Sequence, residues 1–236
     1  MPALPPYESP ALRKATGGTL RPGGLALTER AARCCSLAAG DRVLDVGCGA
    51  GTTSAFLRDR FQVTAIGVDR SAILLADARG ARPDLGLVRG EASTLPFPAG
   101  RFAALFCECV LSLVNDPPRA LEEFHRVLRP GGYCVIADLY RRSNGPERPA
   151  PLAAARGCLK GAVPRDLLEQ RVQAAGFDIR LWEDHSHHLK ILAARLAWAG
   201  IAVRDLWGLE CRPGAAPDKP PGYGLLVSRK RSTPHG

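Results

Sequence analysis

The 236-residue chain has no run of about 18 consecutive apolar residues, so no membrane-spanning helix is expected. Its opening stretch, Met1 to Pro10, lacks a basic region followed by an apolar one. No secretory signal is expected there, and the location expected is cytoplasmic. None of the eight cysteines forms a C-x-x-C pair, which argues against a structural zinc site; without a signal they read as reduced thiols. Aromatic and basic residues nowhere interleave in the manner of single-strand nucleic-acid binders. The net charge of +9 comes from arginines spread along the chain, with a small cluster at Arg229, Lys230 and Arg231. It reads as solvated surface, so neither nucleic acid nor a membrane is an expected partner. No internal repeat is present.

What is present is an apolar share of 46%, enough for a buried core. The pattern alternates strands and helices. Met1 to Gly24 is rich in proline and glycine and reads as an irregular arm, with one domain over 25–236. Helices are expected at Leu25–Leu37, Thr52–Arg60, Ser71–Ala81, Pro117–Leu128 and Arg165–Ala175, and an extra one at Ser186–Leu206. Strands are expected at Arg42–Val46, Gln62–Val68, Leu85–Val88, Phe102–Cys109, Tyr133–Leu139, Phe177–Glu183 and Tyr223–Ser228. Pro130-Gly131-Gly132 is read as the stop for the fourth helix. The fold class implied is α/β: a doubly wound, mostly parallel seven-stranded sheet, with an inserted helix before the last strand, inside an insertion of about 184–221. Ligands of such sheets lie beyond the carboxyl ends of the strands, at the switch point.

The strongest local signal is Val43-Leu44-Asp45-Val46-Gly47-Cys48-Gly49-Ala50-Gly51, a strand running into a three-glycine turn and then a helix. A dinucleotide site needs a further glycine where Thr52 stands. Asp45 is a poor neighbour for a pyrophosphate and a good one for an ammonium group. These features favour S-adenosylmethionine, which carries an ammonium and a sulfonium and no phosphate, over a nicotinamide dinucleotide. Asp69, at the end of the second strand, is placed to accept hydrogen bonds from ribose hydroxyls or to cap the following helix. Glu91 and Ala92, after the third strand, lie where an adenine would reach.

These blocks, with Ile66–Ser71, Gly90–Pro98, Phe102–Asp116 and Ala120–Ile136, resemble the class I S-adenosylmethionine-dependent methyltransferases. The likeness is greatest to the small-molecule group that includes the ubiquinone and menaquinone C-methyltransferases, and it covers about Leu37 to Tyr140. It implies a methyl transfer to a small-molecule acceptor. It also implies cofactor-binding roles for Asp45, Gly47, Gly49, Gly51, Asp69, Arg70, Glu91, Ala92 and Cys107. Ala103 departs from the family, which usually has Asp there. The other classes to weigh are a non-catalytic S-adenosylmethionine-binding partner or regulatory protein, and a nucleotide-binding oxidoreductase.

No catalytic group is legible. Glu108 and His185 are the candidates. Glu108 could orient or deprotonate an acceptor, or could face a helix or solvent. Three histidines in Glu183-Asp184-His185-Ser186-His187-His188 read as a polar strand-to-helix turn, and no metal is assigned. Cys34, Cys35, Cys107 and Cys109 could serve as thiolate ligands for a soft acceptor such as arsenite, but small core residues are the favoured reading. A homodimer is an open assembly.

Overall fold

The computed structural model describes residues 6–9, 12, 16, 19, 21–142, 158–201 and 220–232. Seven strands form one sheet: β1 (Arg42–Val46), β2 (Thr64–Asp69), β3 (Gly86–Arg89), β4 (Phe102–Glu108), β5 (Leu128–Tyr140), β6 (Phe177–Asp184) and β7 (Gly222–Lys230). The order is β3-β2-β1-β4-β5-β7-β6. The first five strands are parallel, and β7 runs antiparallel to both of its neighbours. The helices are α1 (Gly24–Cys34), α2 (Thr52–Phe61), α3 (Ala72–Ala81), α4 (Pro117–Val127), α5 (Cys158–Gly161), α6 (Arg165–Ala174) and α7 (His187–Trp198). None of the described helices is long and apolar enough to cross a membrane.

The two-residue period of the strands divides the side chains between two cores. Val43, Ala104, Phe106, Val135, Ala137, Tyr223 and Leu225 pack with α1, α2 and α7. Leu44, Val46, Leu105, Cys107, Ile136 and Leu226 pack with α4 and α6 on the other face. β4 is buried along its whole length, as a central parallel strand covered on both faces must be. Leu12, from the N-terminal stretch, belongs to the first core.

The chain leaves β1 towards β2 and β3, then returns to build β4 and β5 on the opposite side. The carboxyl ends of β1 and β4 therefore part at a switch point, with Val46 paired to Cys107. The glycine turn after β1 is tied to the end of β2, where the Gly47 and Cys48 N–H groups both donate to the Val68 carbonyl. Gly47 has φ +72°, and a Cβ on it would stand 2.1 Å from Val110 Cγ2, so no other residue fits without displacement.

The ends of α4 and of the last helix differ most from the sequence expectation. α4 has already ended at Val127 and passes directly into β5. Pro130-Gly131-Gly132 lies instead in a bulge of β5. Between the pairs Phe102↔Leu128 and Ala104↔Tyr133, residues 129–132 stand opposite Ala103 alone. α7 ends at Trp198 rather than Leu206. Gly200, at φ +72°, closes it, with Gly200 N–H donating to the Ala197 carbonyl and Ile201 N–H to the Leu196 carbonyl. That paired arrangement is the left-handed helix stop that glycine favours. Of the expected apolar stripe, Leu189, Leu192 and Leu196 pack into the first core of this same chain, while Val203 lies outside the described residues.

Gly47→Ala should lower unfolding free energy by about 2 kcal/mol or more, from overpacking and a left-handed backbone together. Gly49→Ala should cost less, because a Cβ there meets nothing closer than 3.8 Å. Urea midpoints of the two variants check the order.

Candidate functional site

A cavity of about 360 Å³ opens at the switch point. Its walls come from the glycine turn, the ends of β2 and β4, the turn after β3, α7 and the N-terminal stretch. Five carboxylates line it, Asp45, Asp69, Glu91, Glu108 and Asp116, against two guanidiniums, Arg21 and Arg70. The cavity is thus acidic in a chain whose net charge is +9.

Asp69 is fixed at both oxygens. Gly49 N–H donates to Oδ2 and Ser71 N–H to Oδ1, each at 2.8 Å. A carboxylate offers about four lone-pair positions, so two remain for a ligand. The expected cap of the next helix is made by Ser71, whose Oγ accepts from Leu74 N–H. Arg70, exposed beside Asp69, donates to the Tyr7 hydroxyl at 2.9 Å, and Ser71 Oγ donates to Glu8, which brings residues 7 and 8 to the rim.

Asp45 has only 2% exposure, and its Oδ2 accepts from Ser54 Oγ at 2.7 Å. Burial pushes its pKa up to about 7. The Ser54 bond opposes that rise, the Glu108 charge adds to it, and Arg21 partly offsets it.

Glu108 shares strand-face parity with Phe106 and points to the same side of the sheet as Asp45. Its carboxylate is buried and collects donors from three elements. Thr28 Oγ1 of α1 donates to Oε1 at 2.9 Å, and Thr53 Oγ1 of α2 to Oε2 at 3.0 Å. Arg21 Nη2 sits 3.2 Å from Oε2 and also contacts Thr28 Oγ1. The Arg21 side chain is 9% exposed, and its Nε is buried without a partner. Thr28, Thr53 and Ser54 were not anticipated as site residues. Their signal was polar side chains on helix faces that must be buried.

Of the sequence-derived residues, the structure gathers Asp45, Gly47, Gly49, Asp69, Arg70, Glu91 and Ala92 around one cavity. Two stand elsewhere. Cys107 lies within β4 rather than after it; its side chain is wholly buried in the core under α4, and burial raises its pKa far above the usual thiol value. Cys109, two residues on, reaches the lining instead. Gly51 caps α2 outside the lining, where a Cβ would stand 3.0 Å from Leu85 Cδ1, so its part is helix-to-strand packing. The thiols do not form a ligand set, since Cys35 and Cys107 sit in cores on opposite faces of the sheet. His185 is not in the lining; it pairs through Nε2 with Glu183 Oε2 at 2.9 Å.

The remaining wall is apolar: Val110, Leu113, Val114, Leu139 and Leu192. Asp116, in the turn beside it, caps α4 by accepting from Arg119 N–H. A double-mutant cycle of Arg21→Ala with Glu108→Ala should return a coupling of about 1–3 kcal/mol in unfolding free energy, as for a buried pair in one network. Strict additivity would show that Arg21 and Glu108 do not interact.

Residues 44–136 match the family described as "Methyltransferase domain". The chain is 31% identical to a demethylmenaquinone methyltransferase of Renibacterium salmoninarum, over 72% of this chain and 71% of that protein. It is 34% identical to the demethylmenaquinone methyltransferase of Beutenbergia cavernae, over 72% and 70%. Among solved structures, the [4+2]-cyclase SpnF superposes with a TM-score of 0.78 at 25% identity, covering 96% of this chain and 95% of that one. The fold is also that of a Haemonchus contortus phosphoethanolamine N-methyltransferase 2 in complex with S-adenosyl-L-methionine, with a TM-score of 0.75 at 17% identity over 94% and 56%. The chain belongs to the class I S-adenosylmethionine-dependent methyltransferases, and S-adenosylmethionine is its cofactor.

Proposed function

We propose that the cavity seats the cofactor along its acidic wall and an apolar, ring-bearing small molecule against its apolar wall. The observation that supports this most is the excess of carboxylates in the lining of a basic protein. A cofactor with an ammonium and a sulfonium gains from that field, whereas a pyrophosphate would be repelled. In this reading Asp69 receives the ribose, Glu91 and Ala92 flank the adenine, and Gly47 and Gly49 let the backbone approach the methionine end. Asp45 faces the ammonium. The unpartnered Arg21 Nε offers a donor to the cofactor's carboxylate.

Bound S-adenosylmethionine supplies an electrophilic methyl on sulfur. The chain's own residues have to align an acceptor lone pair with it and keep water away. Val110, Leu113, Val114, Leu139 and Leu192 supply the dry, shaped surface for that alignment. Glu108 is assigned a positioning role: with three donors on its two oxygens, it braces α1, α2 and Arg21 at the end of β4. An acceptor such as demethylmenaquinol suits these walls better than a phosphorylated amine. Names of both kinds occur among the relatives.

The deciding experiment is methyl transfer from labelled S-adenosylmethionine to reduced demethylmenaquinone and, separately, to phosphoethanolamine. Labelled product from the first alone supports the reading. Product from the second alone would overturn the acceptor class. Because the cyclase SpnF shares the fold, transfer of label, and not cofactor binding, is the readout.

Asp69→Asn should weaken cofactor binding by about 1.5–3 kcal/mol, the usual loss for hydrogen bonds to a charged group. Asp69→Ala should in addition lower stability, because the Gly49 and Ser71 N–H groups lose their acceptor. Calorimetry with S-adenosylhomocysteine, alongside urea unfolding, separates the two effects.

Asp45 sets a pH dependence. In the free protein it is protonated below about 7, and an adjacent ammonium favours the ionised form. Binding then releases a proton, so cofactor affinity should rise with pH through about 7 and level off above it. Calorimetry in buffers of different ionisation enthalpy measures the release. Asp45→Asn should abolish it, and an unchanged release in that variant would exclude Asp45 as its source.

A further inference from the structure

The turn from β6 into α7 gathers three imidazoles outside the cavity lining. Ligand atoms of His185, His187 and His188 all lie within 4.8 Å of one another. The His187 and His188 ring centroids are 3.9 Å apart, and His185 and His188 stack at 5.7 Å with 11° between planes. The backbone fixes this crowding: His185 N–H donates to the Tyr223 carbonyl, and His188 N–H to the His185 carbonyl. The pKa of His188 is lowered by burial first, then by His187 and His185.

A second feature concerns His185 itself. Its Nε2 lies 2.9 Å from Glu183 Oε2, and Glu183 is in turn held by Arg30 at 2.6 Å. The carboxylate accepts, so the ring proton belongs on Nε2 and the lone pair on Nδ1. That Nδ1 is buried with no hydrogen-bond partner. A buried acceptor without a donor is costly, and a cation is a natural partner for it. Carboxylate, histidine and metal in that sequence is the arrangement by which proteins orient an imidazole ligand and raise its basicity.

We propose that His185, His187 and His188 form a binding site for a zinc-class divalent cation, with three imidazole nitrogens as ligands and a further position open. Neutral imidazoles suit Zn²⁺, Co²⁺, Ni²⁺ or Cu²⁺ and are poor ligands for Mg²⁺ or Ca²⁺. Metal–nitrogen bonds of about 2.0–2.1 Å require the donors to draw closer together than they stand. His187 is exposed and free to rotate inward. The site joins the end of β6 to the start of α7. It also touches the turn beside the cavity, since a Cβ on Gly23 would stand 3.1 Å from His188 Cδ2 and Pro22 lines the cavity. A bound cation therefore stiffens the support of the N-terminal stretch.

The test uses untagged protein titrated with Zn²⁺ alone in a calorimeter, with Co²⁺ as a spectroscopic probe. One equivalent should bind, the Co²⁺ bands should be those of nitrogen ligands without a thiolate charge-transfer band, and the thermal midpoint should rise with Zn²⁺. His187→Ala, at an exposed position, should keep the fold and lower affinity at least about tenfold. Glu183→Gln should lower it by about 10–100-fold, the usual effect of removing a carboxylate behind a ligating histidine. Absence of binding would overturn the proposal. So would binding unchanged in His187→Ala, or a thiolate band that disappears in Cys34→Ser.

Discussion

The buried carboxylate of Glu108 is the point on which the site depends. It stands at the end of the central strand, where β1 and β4 part, and a charge there is tolerable only when its lone pairs are satisfied. The donors come from residues 21, 28 and 53, each at least 55 positions from Glu108 in sequence. Meeting the needs of one carboxylate therefore fixes α1, α2 and the N-terminal stretch relative to the sheet. Those bonds hold the three segments around the cavity that Arg21, Thr53 and Glu108 line.

The same parity that turns Glu108 towards α1 and α2 turns Asp45 there as well, one strand over. Burial raises the proton affinity of Asp45, and the charge of Glu108 on the same face adds to that rise. Arg21 lies against Glu108, so the positive charge has gone to one acid of the two. Asp45 is left as an acid that gains from an incoming cation, beside a guanidinium whose Nε still lacks an acceptor. In the proposed reading, an ammonium and a carboxylate carried on one carbon of the ligand satisfy both groups at once. A ligand with only one of these charges satisfies half the site.

Much of this was legible in the sequence, because strand–turn–helix punctuation and glycine spacing are local. The seven strands, the switch-point turn, Asp69 at the end of the second strand and Glu91 after the third all follow from such signals. The misplacement of Cys107 has a specific cause. Strands alternate faces, and Cys107 falls in step with Leu105, so it must enter the core under α4. The same count settles Glu108, which falls in step with Phe106 and must face the cavity side. What sequence could not supply was the partners. Thr28 and Thr53 lie 80 and 55 residues from Glu108, and nothing local links them. The extent of α7 was misjudged because the apolar spacing runs on past Gly200, while the left-handed backbone at that glycine ends the helix.

α7 also shows how one short helix serves two purposes. His188, in its first turn, packs on Gly23 beside the cavity, and Leu192, one turn further on, is part of the apolar wall. Leu189, Leu192 and Leu196 hold its inner face in the first core, and the glycine stop at its end satisfies the last carbonyls. The helix is therefore anchored along its length and at its end, and its start carries polar side chains that the core does not hold. A constraint placed on those imidazoles acts at the start of the helix. That start lies one turn from Leu192, so the imidazoles and the apolar wall share one short rigid element.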